Sequence, residues 1–144
     1  MTVYLTVADL TEIIELCTGE KFDPQRSDVG LLASAVARPC GSYAGEEIYP
    51  TLPEKAAALF GSLALSSQAA LHGNPGISWV ALNVFLHLNG FHASFTDNEA
   101  YIMVREAAQR PIDVQEVAEH IATRLSPLKP SRQPSRRRVP APAA

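Results

Sequence analysis

The sequence predicts an all-α protein: a compact bundle of six or so helices around one buried central helix, with a short flap or hairpin and a disordered C-terminal tail. Three observations predict it. Apolar residues recur at helical spacing through most of the first 125 positions, as in VADLTEIIELCTG, the pattern that gives a helix one core-facing stripe. Start and stop signals punctuate these runs, with Ser, Thr or Asp before them and Gly or Pro after. One run, ISWVALNVFLHLN, is apolar around nearly its whole circumference, which suits a helix at the centre of its domain.

The elements follow in order. The first helix, VADLTEIIELCT, stops at Gly19, and Ser27 or Asp28 caps a second, VGLLASAVAR, which Pro39 ends. CGSYAGEEIYPT is rich in Gly and short polar residues with interspersed Tyr and Ile, and reads as a loop or small hairpin. Thr51 then caps a third helix, with Pro53 in its first turn and Glu54 three residues on, the capping-box spacing. LPEKAAALFGSLALSSQAAL is expected to run unbroken to about Leu71. Asn74 caps the all-apolar helix, Pro75 occupies its first position and Gly90 ends it. Two amphipathic helices follow at about 97–109 and 113–125, capped by Thr96 or Asp97 and by Asp113. Residues 1–125 form one domain and 126–144 a Pro/Arg-rich tail.

Composition narrows the function. Hydrophobic residues make up 47% and charged ones 19% of 144 residues, enough for one core without disulfides or a structural metal. Cys17 and Cys40 lack a CxxC or zinc spacing and read as thiols of a reduced, cytoplasmic protein. Neither a membrane-spanning run nor a signal-peptide pattern is expected. The net charge of −3 combines a basic tail, with Lys129, Arg132, Arg136, Arg137 and Arg138, and a body with seven basic and fifteen acidic side chains. Such a body is a poor match to nucleic acid. The tail, with five prolines, lacks the apolar surface to fold.

The candidate site is SSQAALHGNPGISW, residues 66–79. A helix start offers unpaired N–H groups and a partial positive charge to an anion, and Gly73 lets a ligand approach the backbone. Transfer of a phosphoryl or nucleotidyl group also calls for a base, an acid for magnesium and cations for the phosphates. Gln68, His72, Pro75 and Gly76 stand here instead. Gly76, Asn83 and His87 share a face of the following helix, either a stripe leading from the pocket or that helix's least buried side. His92 and His120 have no partner by spacing, and Trp79 reads as core.

Residues 49–90, YPTLPEKAAALFGSLALSSQAALHGNPGISWVALNVFLHLNG, resemble the Fic/Doc family, specifically its death-on-curing toxin branch. DVGLLASAVARP and YAGEEIYP extend the likeness upstream, so that it covers about residues 4–125 without gaps in the central stretch. The family signature reads H-x-F/L-x-D-G-N-K-R. Carried across, the catalytic His falls on Gln68 and the metal-binding acid on His72. Gly73 and Asn74 match, and Pro75-Gly76 replaces Lys-Arg. The resemblance implies transfer from ATP to a protein hydroxyl, with elongation factor Tu as one kind of target, and control by an antitoxin, since no Ser-x-x-x-Glu-Gly inhibitory motif is present.

These replacements set the expectation. Gln68 cannot take a proton, which costs about 10²–10⁴ in rate. Imidazole is a poor magnesium ligand, and Pro75 lacks an N–H. The chain is therefore expected to have lost ATP-dependent transfer. Its pocket, under Tyr43, Glu46 and Glu47 of the flap, is kept either as a pseudoenzyme's binding site or for ATP-independent acid/base chemistry on a small anionic substrate, with His72 as base. Catalytic candidates are His72, Gln68, Tyr43 and Glu46. Binding candidates are Gly73, Asn74, Gly76, Glu47, Asn83 and His87, and no metal or cofactor is expected. Partners are a small anionic ligand or a protein segment in the flap groove, with no membrane; the alternative is a residual Doc-like toxin transferase acting on a protein such as elongation factor Tu.

Overall fold

A computed structural model describes residues 1–129; apart from its first few residues, the basic tail and its expected disorder lie outside them. Seven helices dominate the described residues: α1 (Val7–Thr18), α2 (Val29–Ala37), α3 (Leu52–Leu65), α4 (Ser67–Ala70), α5 (Gly76–Leu88), α6 (Asp97–Gln109) and α7 (Val114–Arg124). The all-α expectation holds. Local chemistry explains the boundaries. Thr6, Thr51 and Thr96 each form a full capping box with the residue three positions on, while Asp28 and Asp113 accept from the first-turn N–H groups of α2 and α7. Gly19 closes α1 in the left-handed conformation. Pro39 falls in a 3₁₀ turn, Arg38–Cys40, that ends α2.

The deepest helix is α3. Lys55 through Gly61, Leu63 and Ala64 are all buried, and α2, α5, α6 and α7 pack around it. Its small residues let neighbours close in: a Cβ on Gly61 would lie 2.7 Å from Ile112 Cδ1, so the loop between α6 and α7 rests on bare backbone. Helix α5 supplies Ile77, Ala81, Leu82, Phe85 and Leu86 to the same core. One side of it remains open, however, with Val80 and Leu88 exposed. Its apolar circumference thus covers a core face and a surface trough, and the centre belongs to α3. Trp79 meets Phe60 and Phe95 edge-on, as a core residue does.

Two features depart from the sequence expectation. The long third helix breaks at Ser66, which sits at φ −94°, ψ 7°, so that α4 is a separate single turn. The chain also continues past position 125 into a strand. β3 (Phe91–Ala93) pairs antiparallel with β4 (Leu125–Pro127), His92 opposite Ser126, and Leu128 N–H donates to Gly90 O at 2.9 Å. The flap is the small hairpin expected, β1 (Ser42–Tyr43) against β2 (Glu46–Glu47), turned by Ala44 and Gly45, both at positive φ. Among the described residues, no helix is long and apolar enough to cross a membrane. Cys17 and Cys40 are free and exposed.

Candidate functional site

The turn between α4 and α5 is built from two successive left-handed residues, His72 at φ 54° and Gly73 at φ 76°. Gly73 takes this conformation without strain, whereas at His72 it is costly for an L-residue. The turn is tied down from both sides. Leu71 and Gly73 N–H both donate to Ser67 O, at 2.9 and 3.0 Å, and Asn74 N–H donates to Leu71 O at 2.9 Å. From the start of α2, Asp28 N–H donates to Ala69 O at 2.8 Å and the buried Ser27 hydroxyl to Ala70 O at 3.1 Å.

Each site residue named from sequence can now be placed. Gln68 is exposed on α4, and its amide oxygen lies over Gly73: a Cβ there would come within 3.3 Å of Gln68 Oε1. Asn74 performs the capping expected of it, its Oδ1 accepting from Gly76 N–H at 3.1 Å, although the helix itself starts one residue later than the cap position predicts. The N–H groups of Gly73, Asn74, Gly76, Ile77 and Ser78 all have acceptors within the turn. An incoming anion must therefore displace one, and the Asn74 side chain is the one that can swing away.

His72 does not stand over the helix start as a free base. Its ring stacks on Phe22, centroids 6.1 Å apart, and its Nε2 is buried with no hydrogen-bond partner. The stack turns the half-buried ring towards the loop after α1 that carries Phe22. Phe22 went unnoticed in the sequence because it lies in an irregular loop with no periodicity to mark it. His92, expected to lack a partner, has one: its Nδ1 is 3.3 Å from His87 Nε2 across the Gly90 turn. Asn83 donates to Trp79 O at 2.9 Å, and Asn83 and His87 line a trough of about 430 Å³ on the open side of α5 with Trp79, Val80, Val84 and Leu88. Gly76 is not among the residues of that trough.

In the flap, Tyr43 is 80% exposed and Glu46 is exposed. Glu47 is instead the outer half of an ion pair with Lys55, 2.6 Å away. Lys55 is 2% exposed, also donates to Tyr49 O at 2.7 Å and Pro39 O at 3.3 Å, and lies over the Tyr4 ring. Burial alone pushes its ammonium down, but Glu47 and Tyr4 beside it outweigh that and hold its pKa above the ordinary lysine value. This lysine anchors the flap base to α3. The sequence offered one signal for it, a lysine directly before the apolar run AAALF. Among the described residues, no side-chain hydrogen bond joins the flap to residues 68–76; Glu47 is held by α3.

An all-α domain with a hairpin before its most buried helix and a Gly-Asn turn before α5 fits the resemblance to the Fic/Doc family. Over 124 residues, 85% of this chain and 93% of the relative, the sequence is 37% identical to Toxin Doc of Mycolicibacterium smegmatis. The chain belongs to the Doc family. No family model matches it, and no solved structure matches it.

This relationship overturns the expectation of a chain that has lost its family's chemistry. Similarity to a toxin across nearly the whole length leaves the pseudoenzyme and the repurposed ATP-independent enzyme without support, and the description of the motif as degenerate goes with them. The error has a physical source. The expectation rested on the replacements at Gln68, His72, Pro75 and Gly76 together, but a missing general base slows transfer by about 10²–10⁴ without abolishing it. His72 also bears on one family feature. A half-buried imidazole stacked on Phe22, its Nε2 buried, does not fit a magnesium ligand, and no group of three or more His, Cys, Asp or Glu able to hold a metal occurs among the described residues. No step is assigned to a protein-held metal.

Proposed function

We propose that this chain is a Doc-type toxin, which transfers a phosphoryl or nucleotidyl group from ATP to a hydroxyl of an essential cytoplasmic protein, elongation factor Tu being the kind of target, and is restrained by an antitoxin. The observation that carries this reading is the 37% identity to Toxin Doc over 85% of the chain. The α4–α5 turn supplies the chemistry. The loose transition state of phosphoryl transfer asks the protein mainly for positioning and charge stabilisation. Gln68, exposed above Gly73, orients the acceptor hydroxyl through its amide. The hydroxyl oxygen bonds to the transferred phosphorus as the phosphoanhydride bond breaks. ADP leaves in phosphoryl transfer or pyrophosphate in nucleotidyl transfer, and the hydroxyl proton goes to a phosphate oxygen. Gly73 permits close approach of the phosphates, and the N-terminus of α5 faces them once Asn74 Oδ1 releases Gly76 N–H.

Inducible expression tests the toxin directly: growth should arrest, and co-expression of the cognate antitoxin should relieve it. Normal growth with the protein verified at full level would overturn the proposal. Purified protein with α- and γ-labelled ATP and elongation factor Tu should give slow labelling that identifies the group transferred. Gln68→His should speed it by about 10²–10⁴ by restoring a general base.

A further inference from the structure

We infer that His87 and His92 form a chelating site for a divalent cation of the zinc and nickel class. The observation is a distance. His87 Nε2 and His92 Nδ1 are 3.3 Å apart, with ring centroids 5.5 Å apart and planes inclined by 59°. That is longer than the usual range of about 2.7–3.2 Å when an N–H donates. It equals the edge of a tetrahedral zinc site, where Zn–N bonds of about 2.0–2.1 Å place two nitrogens about 3.3–3.4 Å apart. Both side chains are exposed, so an ion reaches them from solvent; it replaces the contact between the two rings, and water completes its coordination.

Both ligands are fixed by the fold. His87 lies in the last turn of α5, where the helix dipole favours a cation. His92 lies on β3, whose pairing with β4 sets its register against Ser126, and Gly90 N–H donating to His87 O at 3.0 Å closes the turn between the two. Imidazole pairs suit zinc, nickel and copper and discriminate against magnesium. The site lies at the C-terminal end of α5, opposite the helix end that carries the proposed transfer, and does not depend on that reading.

The test is calorimetric titration of the untagged full chain with Zn²⁺, Ni²⁺ and Mg²⁺, with nuclear magnetic resonance of the histidine rings. The expected result is one zinc or nickel ion per chain, no magnesium binding, and movement of the His87 and His92 resonances but not that of His72. His87→Gln and His92→Ala should each weaken zinc binding at least tenfold, and His120→Ala on α7 should leave it unchanged. Circular dichroism without metal checks that each variant is folded. Absence of binding by the parent chain, or binding retained by the folded His87→Gln/His92→Ala double variant, overturns the inference.

Discussion

Lys55 gives the sharpest test of how the flap is held. Lys55→Met keeps the aliphatic stem in its buried channel and removes the ammonium, so little of the effect is a cavity. Two carbonyls then lose a donor: Tyr49 O, bonded at 2.7 Å, and Pro39 O, at the longer 3.3 Å. A buried acceptor left unpaired costs about 1–3 kcal/mol. Pro39 O is buried but bonded at the longer distance, and Tyr49 O is bonded at the shorter distance but only partly buried, so each belongs in the lower half of that range. Glu47 loses little, because its side chain is 53% exposed and water replaces the partner; such a pair contributes at most about 1 kcal/mol. The expected loss is about 2–4 kcal/mol in urea unfolding, with faster proteolytic cutting at Ala44–Gly45. Glu47→Gln, which keeps an acceptor oxygen, should cost less than about 1 kcal/mol by the same estimate. A lysine pKa raised by folding contributes stability that is complete at neutral pH and disappears only as pH climbs through the folded value, above the ordinary 10.5. Swapping a buried ion pair for apolar groups is often neutral, but backbone carbonyls cannot be swapped. If Lys55→Met unfolds within about 0.5 kcal/mol of the parent, the carbonyls are served by something other than the ammonium and the argument fails.

Two further predictions follow from other side chains. Glu99 accepts from Arg124 through both carboxylate oxygens, one at 2.8 Å, and closes the Thr96 capping box; Arg124, then that cap, lower its pKa to about 2. Because folding lowers this value, its contribution is present above the ordinary carboxylate range and lost as pH falls towards 2. Acid titration followed by circular dichroism should show that loss in the parent and not in Glu99→Gln. His72→Phe keeps the stack on Phe22 and removes a buried nitrogen that has no partner. It should raise stability by about 1 kcal/mol, and a loss of that size in urea unfolding would mean that Nε2 is satisfied after all.

Legibility in the sequence tracked how local the cause was. The starts of α2, α3, α6 and α7 could be read because a cap is one side chain meeting an N–H two or three residues away: Asp28, Thr51, Thr96 and Asp113 all act as expected. The break at Ser66 left no mark, since SSQAAL is compatible with a continuous helix and the interruption serves contacts of α4 with α2. The pairing of β3 with β4 joins residues more than thirty positions apart, and three-residue strands are too short to show alternation. The site divides the same way. Asn74 and Gly73 were recognisable from the turn chemistry, while the buried Nε2 of His72, the stacking partner Phe22, the Lys55 anchor and the His87–His92 contact are tertiary facts.

The turn also shows why a residue-by-residue comparison of motifs misjudged the chemistry. A signature lists side chains, but the part of this site that the fold enforces is backbone: two left-handed residues in succession, held by Ser67 O on one side and by Ser27 and Asp28 on the other. That scaffold fixes where α5 begins, and hence where, under the proposed function, a phosphate would meet its positive end once Asn74 Oδ1 releases Gly76 N–H. Positioning of this kind carries much of the catalytic effect when the transition state is loose, whereas proton removal adds a factor that a slow enzyme can forgo. Under the proposed function, Gln68 in place of a base would lower the rate, and the backbone geometry of residues 67–76 would set the positioning that transfer needs.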